Sequence, residues 1–216
     1  VTDGPRDLSI LTRLQLGLEA LYRVETRLPV DAFVIDETQR QEASVGRTPR
    51  EQLLVSELGD DLGLALFVDA AALANLQAND PARGLNDGNF SDFCLALEGV
   101  SHFVYVALCA SRDRRVSALE LELQAEVDKF ACCVLLSGRR PGLRRRLYGT
   151  VRYDEDLDTE ESARYRTAND EANRYAETLE RRFVQPDRLT DMLADLRQFY
   201  RLSLDAKLSH IARAAG

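Results

Sequence analysis

The 216-residue chain has no tryptophan, one methionine, two histidines (His102 and His210) and only two lysines (Lys129 and Lys207) among its 28 basic residues. With two histidines there is no histidine cluster, and HExxH is absent. The four cysteines, Cys94, Cys109, Cys132 and Cys133, form no CxxC pair, so nothing points to a zinc ribbon or a thioredoxin-like dithiol. All four sit inside apolar helical patterns and read as reduced core thiols of a cytoplasmic protein. GxSxG, GxxxxGK[ST] and GxGxxG are missing, which removes the usual pointers to a nucleophile elbow, a phosphate loop or a dinucleotide fold. No fixed-period repeat or low-complexity tail is present. The opening residues lack a charged-then-apolar signal pattern. No uninterrupted apolar run approaches the ~20 residues a bilayer requires, so no membrane span is expected.

What remains is an ordinary globular composition, 45% hydrophobic and 30% charged, with a net charge of -8. An acidic chain is poorly suited to neutralising phosphates, so nucleic acid is not an expected partner. From Leu8 to Val24 apolar residues recur at steps of three and four, a helical stripe ended by Pro29. Residues 30–35 (VDAFVI) read as a strand and 36–49 as a loop. Residues 51–68 read as a hairpin turning at Gly59-Asp60-Asp61, followed by a helix capped by Asp69. The turn-rich stretch 79–89 is the best internal boundary.

Beyond it the pattern is helical: 91–111, 116–137, a short helix at 143–148, then 158–184 with Asp158 and Glu161 at capping-box spacing. A last helix over 187–214 follows Pro186 at its expected N1 position. Residues 118–127 (ALELELQAEV) alternate as a strand would, but Phe130, Ala131, Val134 and Leu135 continue a helical stripe. The expected fold is α+β: a small N-terminal antiparallel sheet with helices over 1–80, then a mostly helical half over 89–216, an antiparallel helix bundle, with one shared core.

One constellation has chemical content. On helix 91–111, Leu97, Val100, Val104 and Leu108 form a core stripe. Glu98, His102, Tyr105 and Cys109 form a second face, and i,i+4 spacing lets Glu98 and His102 converge. Helix 116–137 repeats the plan, with Glu122, Glu126, Lys129 and Cys133 beside its apolar stripe. If the two acidic faces meet, Glu98, His102, Glu122 and Glu126 make a carboxylate/imidazole ligand set suited to Fe, Mn or Zn. The spacing of Glu98 and His102 departs from the Glu-x-x-His pattern of di-iron helices. Lys129, Tyr105, Asn169 and Asn173 are candidate supporting polar groups.

Residues 139–152 hold six arginines, among them Arg144, Arg145 and Arg146, which offer an anion or partner surface; six acids follow at 154–161. The expected function is therefore an interaction or scaffold protein, with a protein partner or a homo-oligomer. The alternative is a metal-dependent enzyme, oxidative or hydrolytic, built on the Glu/His set.

Overall fold

The computed structural model describes residues 8–43, 49–58, 61–138, 140–149 and 158–215. The fold is α+β: a two-stranded antiparallel sheet near the N-terminus and helix elsewhere. Two compact units are distinguished, residues 1–20 with 24–115, and residues 21–23 with 116–216. The stretch 79–89 lies inside the first.

In the first unit, α1 (Ile10–Tyr22), whose last two residues count with the second unit, is followed by a 3-10 turn at Val30–Phe33, α2 (Glu37–Ala43), the hairpin β1 (Glu51–Leu58) and β2 (Asp61–Val68), α3 (Ala70–Ala78) and α4 (Phe90–Ala110). The hairpin has the expected bounds, with Glu51 opposite Val68 and Leu54 opposite Ala65. Gly59 and Asp60 of the expected turn lie outside the described residues. Asp69 caps α3 by accepting from the Ala72 amide.

Two local expectations are corrected here. Residues 30–35 are not a strand: Pro29, with φ fixed near -71°, starts a 3-10 turn in which the Ala32 amide reaches the Pro29 carbonyl. Only Val34 and Ile35 run extended beside Leu66. Within the expected loop, α2 forms because Asp36 and Gln39 make a reciprocal cap. Asp36 Oδ1 accepts from the Gln39 amide (2.9 Å) and Gln39 Oε1 from the Asp36 amide (3.0 Å). Arg40 of α2 lies buried over the Phe67 ring, 4.8 Å from its centre.

α4 packs on α3 and on both strands, with Phe93, Leu97, Val100, Phe103 and Val104 fully buried. By length and composition α4 is apolar enough to cross a bilayer, although charged and polar residues interrupt every run in it; 78% of its apolar window is buried within the protein.

The second unit holds α5 (Ala118–Ser137), α6 (Leu143–Tyr148), α7 (Thr159–Leu179), α8 (Leu189–Tyr200) and α9 (Leu204–Ala215). α5 is helical through the alternating segment, capped by Ser117 accepting from the Glu120 amide. Asp158 caps α7 as expected, at 2.7 Å from the Glu161 amide. α7 packs against α5, α6 and α9.

Helix 158–184 ends early, passing into a π-helical turn at Glu180–Val184. Helix 187–214 is two helices. Pro186 lies in a turn three residues before α8 and not at its N1. The break after Tyr200 has a local cause. Arg197 and Arg201 turn to donate to the carbonyls of Leu21 (2.7 Å) and Tyr22 (3.1 Å). Ser203, a residue type favoured at helix starts, then opens α9.

A candidate carboxylate and histidine cation site

α4 carries the residues the sequence singles out, and its second face is not a solvated one. His102, Tyr105 and Cys109 are buried and Glu98 is half-buried. Their neighbours divide them. Arg114 lies over the Tyr105 ring, 5.4 Å from its centre, and donates from Nη2 to Tyr105 Oη (2.9 Å) and to Cys109 Sγ (2.8 Å). Tyr105 thereby fastens the turn after α4.

His102 faces a different carboxylate. Its Nδ1 is 3.7 Å from Oε1 of Glu51, the first residue of β1. Glu51 fits there because position 99 is glycine. A Cβ at 99 would stand 2.9 Å from Glu51 Cγ and Oε1 and 3.0 Å from Leu66 Cδ1. Glu51 is missing from the set read from the sequence. The signal that finds it is Gly99 itself, a lone glycine among large residues in a helix, which marks a close approach by another element.

On α5, Glu122 is half-buried, and Glu126 is taken by Lys129, whose Nζ donates to its carboxylate at 2.7 Å. One ligand atom of Glu98 and one of His102 lie within 4.8 Å of each other. A single first-row cation bonds such oxygens and nitrogens at about 2.0–2.2 Å, so ligand atoms around it stand roughly 3–4 Å apart. These two are therefore near enough to be drawn onto one ion.

The remaining candidates belong to the architecture of the second unit. Asn173 Oδ1 accepts from Arg144 Nη1 (2.9 Å) and Asn169 donates to the Tyr148 carbonyl (3.3 Å), so both asparagines fasten α6 to α7. Arg144 also pairs with Glu177 and Glu180. Arg145 is exposed and Arg146 half-buried. Arg139, Arg152 and the acids at 154–156 lie outside the described residues.

Beside these, the second unit buries a polar chain in full. Tyr22 Oη donates to Asp128, and Gln124 Nε2 donates to Asp128 Oδ1 (2.7 Å). Lys207 Nζ donates to Gln124 Oε1, with Phe199 beneath the ammonium at 4.8 Å. Burial, and then the Asp128 charge, push the Tyr22 hydroxyl well above its ordinary pKa, so it stays a donor. Comparisons with protein-family models, characterised proteins and solved structures return no match for this chain.

Proposed function

We infer that the protein binds a divalent first-row transition metal, Fe, Mn or Zn, through Glu98 and His102 of α4. The observation that carries this reading is the approach of two ligand atoms of mixed oxygen and nitrogen type, within 4.8 Å of one another on one face of that helix. General physics supports it. A carboxylate taken partly out of water, as Glu98 is, is costly to keep charged, and a cation beside it offsets that desolvation. The donor set is of the borderline kind that Fe, Mn and Zn accept, and it offers no thiolate. A cation held there supplies a Lewis acid for hydrolytic or oxidative chemistry. Of the residues in this chain, Glu98 would bring the negative charge and His102 the neutral donor.

The test is metal analysis of the full-length protein, followed by titration of chelator-treated protein with Zn²⁺, Mn²⁺ and Fe²⁺. The wild type is expected to take up about one equivalent of one of them. Glu98→Ala and His102→Ala are each expected to weaken uptake at least 10-fold. Wild-type protein that stays metal-free through all three titrations overturns the reading, and the interaction-protein function then takes its place.

A further inference from the structure

Glu51 and His102 meet across the packing of β1 on α4, with their side chains only 9% and 10% exposed. The contact has been given room at a cost: glycine inside a helix is about 1 kcal/mol less favourable than alanine, and Gly99 is where a methyl group would strike the Glu51 side chain. A carboxylate can only accept a hydrogen bond, and a neutral imidazole carries one N–H. Facing Nδ1 at 3.7 Å, Glu51 favours the ring form whose proton is on Nδ1. That form has its lone pair on Nε2.

We propose that Glu51 is a positioning residue which selects the Nδ1–H form of His102 and so presents Nε2 as the ring's donor atom to the cation. The proposal rests on the cation reading for its purpose, but not for its test. Carboxylates that accept from the far nitrogen of a ligating histidine fix its tautomer and orientation and raise its basicity, and losing one typically weakens metal binding 10- to 100-fold. The 3.7 Å separation is ion-pair contact, longer than a hydrogen bond. Polar contacts in apo sites commonly tighten when the site is filled.

Two readouts separate the claims. The first is ¹⁵N NMR of metal-free protein at a pH where the ring is neutral; with two histidines in the chain, His102→Gln assigns the signals. Wild-type His102 is expected to carry its proton on Nδ1. Glu51→Met, which keeps length but removes the acceptor, moves it toward the Nε2–H form. Glu51→Gln, whose amide oxygen still accepts, preserves Nδ1–H. The second is Zn²⁺ affinity by titration calorimetry, expected to fall about 10- to 100-fold in Glu51→Met and less in Glu51→Gln. Nε2–H in the wild type overturns the proposal whatever the variants do, including a Glu51→Met protein that fails to fold. So does Zn²⁺ affinity that is unchanged in a folded Glu51→Met. If the tautomer responds as expected but the wild type binds no metal, the cation reading falls and the role of Glu51 in setting the ring stands.

Discussion

Gly99 is a position where an ordinary rule reverses. At an exposed helix site, replacing glycine by alanine stabilises by about 1 kcal/mol. At 99 the added methyl would press on Glu51 and on the fully buried Leu66, and overpacking of that kind typically costs about 1–3 kcal/mol. Gly99→Ala is therefore expected to lower the urea midpoint and not raise it; a stabilised variant would show that Glu51 does not occupy the space. A second residue-scale prediction concerns Gln124, which accepts from Lys207 and donates to Asp128 in a fully buried setting. Gln124→Leu keeps the volume but takes away the bridge between two buried ionisable groups. The expected loss is about 3 kcal/mol or more in equilibrium unfolding, in the range seen when one member of a buried charged pair is deleted. Little of this was legible in the sequence. Lys207 looks like any helix lysine until the aromatic faces of Phe199 and Tyr200 are found around it. The approach of Glu98 to His102 was legible because helical spacing alone puts them on one face of α4. Glu51 was not, because it arrives from a strand 48 positions away in sequence from the glycine that admits it.

At the scale of elements, what could be read was whatever repeats over many residues. The long stripes of α4 and α5 and the two strands of the hairpin fall close to their expected bounds. The misread segments are short ones decided by a single hydrogen bond or cap. Val30–Phe33 has strand-favouring side chains, yet Gln15 Oε1 takes the Val30 amide at 2.8 Å and Pro29 sets the turn, so propensity is overridden locally. α2 has no apolar stripe at all; it is held by the Asp36–Gln39 cap and by Arg40 against Phe67. Such a helix depends on its cap more than a long one does, since seven residues are too few to sustain a helix by propensity. Asp36→Ala is expected to cost about 1 kcal/mol, and to raise hydrogen exchange at the amides of 39–43 more than elsewhere in the first unit. Uniform exchange across that unit would contradict it. The split of 187–214 into α8 and α9 was equally hidden, because both halves keep three-and-four spacing across the break and only the arginine contacts to Leu21 and Tyr22 reveal it.

At the scale of the whole molecule, the two units place their pH-sensitive groups at opposite ends of the scale. In the first unit, donation from Arg13 holds the Asp80 carboxyl below its ordinary range, and the Ala72 amide, followed by Arg50, does the same for Asp69. A carboxyl whose pKa is lower folded than unfolded stabilises the fold at neutral pH. That contribution is lost as pH falls below the ordinary aspartate value of about 4. In the second unit the sign is opposite. Burial, then Asp128, raises the Tyr22 hydroxyl well above the ordinary value, and burial, then Asp195, raises Tyr175. Both stay protonated while the same tyrosines in an unfolded chain ionise near pH 10, so their contribution is present below about pH 10 and lost above it. Urea midpoints measured from about pH 3 to pH 11 should fall at both ends. Asp69→Asn, which keeps a good cap, and Asp80→Asn should flatten the acid limb and leave the alkaline limb unchanged. Tyr22→Phe and Tyr175→Phe should flatten the alkaline limb alone, whatever each does to stability at neutral pH. If the tyrosine variants keep the wild-type slope above pH 10, those hydroxyls ionise as readily in the folded protein as in the unfolded chain, and the buried donor role given to Tyr22 is wrong.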